Sequence, residues 1–124
     1  SHNIRLNVDR ELFNQLIINV VLNAIEAMPK GGTLIIDDAL QEGHKGTSYS
    51  LHISDSGCGI DEKQFQNIFT PFFTLKKSDE IRGVGLSICK SIIEKYNGSI
   101  TVDSTVNEGT TFHIIFPSEI ICST

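Results

Sequence analysis

The chain has 124 residues, 40% hydrophobic and 20% charged, with a formal net charge of −5. That is enough for one domain with one core, and the composition is that of an ordinary globular protein. The negative balance argues against nucleic-acid binding, which depends on a surplus of Lys and Arg, and no run approaches the ~18 apolar residues of a membrane span.

Ser1-His2 reads as the scar of a cleaved tag, and residues 1–3 are given no role. Residues 4–8 alternate apolar and polar side chains, as a short strand does. Asp9 is placed to cap a helix that runs from Leu12 to just before Pro29 and the turn Lys30-Gly31-Gly32. Residues 33–39 and 49–54 are predicted as two strands of a hairpin across the polar stretch 41–47. Asp55 to Gly59 forms a tight loop, and Asp61-Glu62 opens a short helix that ends near Phe69. Residues 74–82 are polar and charged, the pattern of an exposed loop, and 85–97 a helix stopped by Asn97-Gly98. Strands 99–104 and 110–116 close the chain as a second hairpin across Asn107-Glu108-Gly109. Hairpin-connected strands with helices able to cover one face predict a two-layer α+β sandwich.

Cys58, Cys89 and Cys122 are an odd number without CxxC spacing, which fits a reducing, cytoplasmic setting; they read as core filler or surface. His44, His52 and His113 stand at no metal-ligand spacing, and no signal-peptide pattern is present.

On the first helix Ile17, Val21, Ala24 and Met28 share one face, and Gln15, Asn19, Asn23 and Glu26 lie opposite. Leu12, Leu16 and Leu22 flank the polar stripe, so the helix is apolar almost all round and its polar face is expected to line a cleft. Asn competes with the helix backbone for hydrogen bonds, so two Asn one turn apart need a reason. With Glu26 they suit a hydrated Mg²⁺ bound through one or two protein ligands and phosphates. The same residues also read as a plain solvated face.

Asp55-Ser56-Gly57-Cys58-Gly59 follows a strand directly. Its glycines allow close backbone approach to a flat ligand, and the Asp carboxylate can accept from an exocyclic amine such as adenine's. Taken alone, the segment is equally a simple turn. Arg82-Gly83-Val84-Gly85-Leu86-Ser87 opens the later helix, where unpaired N–H groups and the helix dipole bind phosphate. It matches neither the dinucleotide nor the P-loop glycine pattern. Lys76, Lys77 and Arg82 add positive charge before it, with Lys77 read as solubilising. Phe69-Thr70-Pro71-Phe72-Phe73 reads either as core or as the anchor of a closing lid.

In order and spacing these pieces resemble the four boxes of histidine-kinase ATP-binding domains. Asn19 to Ala27 resembles the N box, Asp55 to Ile60 the G1 box, Ile68 to Thr74 the F box and Gly83 to Ile88 the G2 box. The closing hairpin is similar too, so the resemblance covers essentially all of 1–124, and Asn-Ala-Ile-Glu-Ala-Met-Pro is closest to nitrogen-regulation-type kinases. The resemblance implies a Bergerat fold: a mixed sheet of about five strands, covered on one face by three helices, with ATP between helices and a lid at 74–82. It implies that Asn23 holds Mg²⁺ and phosphate beside Asn19, and that Asp55 takes the adenine amino group. Gly57 and Gly59 then shape the base pocket, Gly83, Gly85 and Leu86 contact phosphates, and Glu26, Ala27, Ile60, Phe72 and Val84 complete the nucleotide set. Two departures stand out. Ile81 occupies the place of the G2 box's usual first glycine. Glu26 stands where some members carry a base, which leaves Lys76 or Arg82 to neutralise phosphate.

Relatives on this fold that hydrolyse ATP carry a water-activating carboxylate one turn before the metal-binding Asn. Here that position is Asn19, which cannot act as a base. The resemblance therefore implies transfer to a histidine on a separate dimerisation domain, within a cytoplasmic, dimeric parent that hands the phosphoryl group to a response regulator receiver domain. Membrane anchoring of the parent is left open, and the fragment itself is expected to be monomeric. A GHKL-type ATPase and a weakly nucleotide-binding regulatory module are the alternatives.

Overall fold

The computed structural model describes residues 5–44, 46–70 and 85–121. Helix α1 (Arg10–Glu26) starts where the Asp9 carboxylate accepts from the N–H groups of Glu11 at 2.9 Å and Leu12 at 3.2 Å. Two of the donors that every helix start leaves orphaned are thereby satisfied. Strands β1 (Leu34–Gly43) and β2 (Gly46–Asp55) form the first hairpin. The ladder takes in Gln41↔Ser48, Glu42↔Thr47 and Gly43↔Gly46, so the strands run on through a stretch expected to be a turn. Backbone pairing needs no apolar side chain, and the polar residues of this outer end of the ladder stay largely exposed.

Helix α2 (Gly85–Lys95) is stopped by Asn97 at φ 61, and the Gly98 N–H reaches back to the Ile93 carbonyl at 3.0 Å. Strands β3 (Ser99–Thr105) and β4 (Gly109–Phe116) follow, their turn built on Asn107 at φ 68 and Gly109 at φ 128. The sheet order is β1-β2-β4-β3, with every pair antiparallel.

Three details differ from the expected layout. The segment before α1 contributes one bridge, Leu6↔Ile121, and not a full fifth strand, because Asp9 turns the chain into the helix directly after Val8. Among the described residues the sheet is antiparallel throughout, not mixed. The third helix is a single 3-10 turn, Glu62–Gln64, capped by Asp61 and continued by turns.

Alternation along the central strands decides which face is covered. Tyr49, Leu51 and Ile53 of β2 and Phe112, Ile114 and Phe116 of β4 are buried under Leu16 and Val20 of α1 and Cys89, Ile92 and Ile93 of α2. Phe13 and Tyr96 each set a ring 6.5 Å from that of Phe116. The Tyr96 hydroxyl also accepts from the Asp9 N–H at 2.8 Å, which ties the end of α2 to the start of α1. On α1 the buried line is Leu16, Val20 and Ala24, not the expected Ile17, Val21, Ala24 and Met28. An almost uniformly apolar helix does not dictate its own orientation; the wedge between the sheet and α2 does. Among the described residues no helix is long and apolar enough to cross a membrane.

Neighbouring residues on β4 test this layering. Ile114→Ala empties a site that is 0% exposed and should cost about 2–5 kcal/mol in urea unfolding. Ile115→Ala, on the opposite face, should cost about 1 kcal/mol or less.

Candidate nucleotide-binding site

Asp55 ends β2 on the helix-covered side, paired with Leu34 on β1 and Thr110 on β4. Beyond it the chain leaves the sheet, and its backbone polar groups need new partners. One set comes from the end of α1. The Cys58 N–H donates to the Ala27 carbonyl at 3.0 Å, and Gly57 lies so close that a Cβ on it would stand 2.5 Å from that oxygen. Ser56 closes a ring with the turn after α1, accepting from the Thr33 N–H at 2.9 Å and donating its own N–H to the Thr33 carbonyl at 3.1 Å.

The other set comes from the β3–β4 hairpin. Asn107 donates its N–H to the Cys58 carbonyl at 2.7 Å, and the Ile60 N–H donates to Ser104 Oγ at 2.7 Å. Ser104 Oγ also stands 2.8 Å from the Gly109 carbonyl and from Thr110 Oγ1. Gly59, at φ 76, packs its Cα against the Thr105 carbonyl, a place with no room for a side chain.

Within the loop the Gly57 N–H donates to Asp55 Oδ1 at 2.8 Å. Burial pushes the Asp55 carboxyl above the usual carboxylate range, against the opposing pull of the hydrogen bonds from Gly57 and Thr110. A half-buried acceptor at a strand end, fixed by its own loop, is suited to an amine donor entering from the cleft.

Asn23 sits one turn above Ala27 on α1, half-buried, with its amide donating to the Asn19 carbonyl at 3.0 Å. That bond holds the side chain along the helix. Across from it α2 begins, and a Cβ on Gly85 would stand 3.8 Å from Asn23 Nδ2. Gly85 and Leu86 are the first described residues of α2. Asn19 lies half-buried one turn before Asn23. On α2 the Cys89 thiol donates to the Leu16 carbonyl at 3.6 Å, and burial pushes its pKa up to about 12.

Thus Asn23, Ala27, Asp55, Gly57 and Gly85 are brought to one corner, with Asn19, Glu26 and Leu86 half-buried beside them on the same two helices. Ile60 is buried and anchors the far end of the loop. Phe72, Lys76, Arg82, Gly83 and Val84, with Lys77, Ile81 and the expected lid, lie outside the described residues. Of the aromatic connector, Ile68 is buried and Phe69 meets Phe112 edge to face at 6.3 Å, so this part is core. Sequence reasoning missed Ser104, Thr110 and Asn107, the hairpin groups that brace the loop. A Ser and a Thr flanking a hairpin turn give no such signal without the register. It also missed that His52 and His113 pair across the open face, Nδ1 to Nδ1 at 2.7 Å, with His113 Nε2 2.9 Å from Asp103 Oδ2.

An antiparallel sheet with helices on one face and a glycine loop, an Asn-bearing helix and a helix start at one corner defines the Bergerat class. The family described as histidine kinase-, DNA gyrase B- and HSP90-like ATPase matches residues 8–120, and the chain belongs to it. The chain is 39% identical over 112 residues to the adaptive-response sensory kinase SasA of Gloeothece citriformis (strain PCC 7424), covering 88% of this chain and 28% of that protein. It is 39% identical over 118 residues to sporulation kinase A of Bacillus subtilis (strain 168), covering 94% of this chain and 18% of that protein. The solved catalytic domain of the histidine kinase ThkA superposes with a TM-score of 0.72 at 35% identity, over 89% of this chain and 68% of that one. The chain therefore spans less than a third of these two sensory and sporulation kinases.

Two measurements test the site's construction. Gly57→Ala forces the loop off Ala27 and should destabilise the fold by about 1–3 kcal/mol. Gly43→Ala should be nearly silent, because the nearest atom to its Cβ would be 3.8 Å away. At pH 8 iodoacetamide should label exposed Cys58 and spare buried Cys89 until the chain is unfolded, as read by peptide mass mapping.

Proposed function

We propose that this domain binds Mg²⁺·ATP and serves the transfer of its γ-phosphoryl group to a histidine on a separate helical dimerisation domain, from which a response regulator receiver domain takes it. The observation that carries the reading is the convergence of Asn23, the Asp55-Gly57 loop and the start of α2 on one corner. The residues fit the ligand. Asp55 offers a carboxylate oxygen for the adenine amino group, and Gly57 and Gly59 keep the backbone beneath the base free of side chains. Asn23 offers its amide oxygen to the cation, and Gly85 and Leu86 turn helix-start N–H groups toward phosphate. Mg²⁺·ATP supplies the phosphoryl group and the charge that offsets it.

The chain's own part is positioning. A phosphoryl transfer transition state is stabilised chiefly by alignment and charge. Asn19 carries an amide and not a carboxylate. An amide cannot remove a proton from water, which favours a nucleophile that brings its own lone pair, as imidazole does. The helical domain and the receiver domain of this reading are both separate from the segment described.

The test is transfer from ATP to a cognate histidine-bearing helical domain. Asn23→Ala should slow it by roughly two orders of magnitude, and an unchanged rate removes Asn23 from the mechanism. The isolated chain should release no phosphate above background; steady turnover would favour the ATPase reading. Asp55→Ala should weaken a non-hydrolysable ATP analogue about 10- to 100-fold by calorimetry, the worth of a hydrogen bond to a charged acceptor.

Acid should act on Asp55 in two opposite ways. Its carboxyl is raised above 3.8 in the folded protein, so protonation, and loss of nucleotide affinity, begin at higher pH than for a free carboxylate. The folded state then binds more protons than the unfolded one between the raised value and 3.8. In that window Asp55 contributes stability as pH falls. Calorimetry paired with thermal melts should therefore show affinity falling without an Asp55-driven loss of the fold, and Asp55→Asn should abolish that part of the pH dependence.

A further inference from the structure

The face of the sheet that the helices leave open carries a cluster of polar rings that the nucleotide corner does not use. His52 on β2 and His113 on β4 are direct cross-strand partners. Their Nδ1 atoms stand 2.7 Å apart, and the rings meet edge to face with centroids 4.8 Å apart. On its other side, His113 Nε2 is 2.9 Å from Asp103 Oδ2 of β3. The His113 side chain is 28% exposed and that of Asp103 82%, so small solutes can reach the cluster. The backbone beneath it is fixed by the β2–β4 and β3–β4 ladders.

We infer that His52 and His113 form a two-nitrogen chelate for a divalent late transition cation, with Asp103 as the carboxylate that orients it. Imidazole nitrogen suits Ni²⁺, Cu²⁺ and Zn²⁺, whereas the Mg²⁺ that accompanies nucleotides takes oxygen. Two nitrogens bound at ~2.0–2.1 Å in neighbouring positions of a square-planar or tetragonal shell stand about 2.9 Å apart. That is close to the separation already present between the two rings. A tetrahedral shell needs about 3.3 Å, so Ni²⁺ and Cu²⁺ fit with less movement than Zn²⁺. Asp103 accepts from His113 Nε2–H and so leaves a lone pair on His113 Nδ1, the arrangement in which a carboxylate orients a metal-binding imidazole. His52 Nδ1 then carries the one proton between the rings. When the cation binds, that proton leaves for water and His52 Nε2 takes one up. Both rings stay neutral, and each turns until its Nδ1 lone pair meets the cation. Among the described residues no group of three or more His, Cys, Asp and Glu is gathered for a metal, so water completes the shell. The two ligands lie 61 residues apart in the chain, which is why no ligand spacing shows in the sequence. The chelate lies on the face away from Asp55 and does not depend on the phosphotransfer reading.

The test is calorimetric titration of the whole chain with nickel chloride in the absence of nucleotide. The unaltered chain should bind one more Ni²⁺ than His52→Gln/His113→Gln, in which any binding at His2, His44 or the thiols remains. Ni²⁺ should raise the thermal midpoint of the unaltered chain and not that of the double variant, because a cation held by two paired strands favours the folded state. Asp103→Asn should weaken Ni²⁺ about 10-fold, the low end for losing such a carboxylate because this one is exposed. Circular dichroism and affinity for a non-hydrolysable ATP analogue should stay as they were in all variants, the latter within about twofold. Paramagnetic broadening by Ni²⁺ provides a reading that needs no variant: the ring signals of His52 and His113 should broaden before those of His44. Equal Ni²⁺ binding by the unaltered chain and the double variant overturns the proposal. So do His52 and His113 signals that stay sharp while His44 broadens. Undiminished affinity in Asp103→Asn overturns the orienting role of that carboxylate.

Discussion

The structure depends on how six residues, Asp55 to Ile60, are held outside the sheet. Once the chain leaves β2 its N–H and C=O groups lose the ladder, and each one left unpaired away from water costs free energy comparable to a lost hydrogen bond. Ala27 and Thr33 satisfy one side of the loop, and Asn107 and Ser104 satisfy the other. The loop is thus a bridge between the first helix and the last hairpin, segments some 80 residues apart in the chain. Glycine is required at Gly57 and Gly59 because both anchors approach closer than a methyl group allows. The contacts that hold this loop are the same ones that tie the first helix to the last hairpin.

Helix α1 shows how one element serves several masters. Its core line meets the sheet and α2, and its amide line faces the start of α2. The local bond from Asn23 to the Asn19 carbonyl is a competing arrangement of the kind that makes Asn unfavourable inside helices. Here it aligns the side chain. Gly85 stands across from that amide, where a Cβ would make an ordinary contact 3.8 Å from Asn23 Nδ2.

Much of this was readable from residue types, because caps and turns are local. Asp9 and Asp61 cap as their short acidic side chains predict, and Asn107 and Gly109 turn the last hairpin with positive φ. The order of the boxes led to the expectation that Asn23, Asp55 and Gly85 share a site, and Asn23 and Gly85 do lie within contact distance. What escaped was everything set by register or by competition between faces. The segment at 4–8 alternates like a strand, yet it makes one bridge because the helix begins too soon after it. The buried line of α1 could not be chosen when apolar residues surround the axis. Ser104 gained its importance only from lying across from Thr110 and beneath Ile60.

The paired histidines on the open face impose a constraint on tautomer. His52 and His113 approach through the same ring nitrogen, Nδ1, at 2.7 Å, a distance at which one of the two must donate and the other accept. The opposite nitrogen of His113 is already turned to Asp103. If that nitrogen donates to the carboxylate, a neutral His113 accepts at Nδ1, and His52 is held in its Nδ1–H tautomer. Two N–H groups cannot meet head to head at that distance, so the two rings share one choice of tautomer, and changing it in one ring must change it in the other or swing the rings apart.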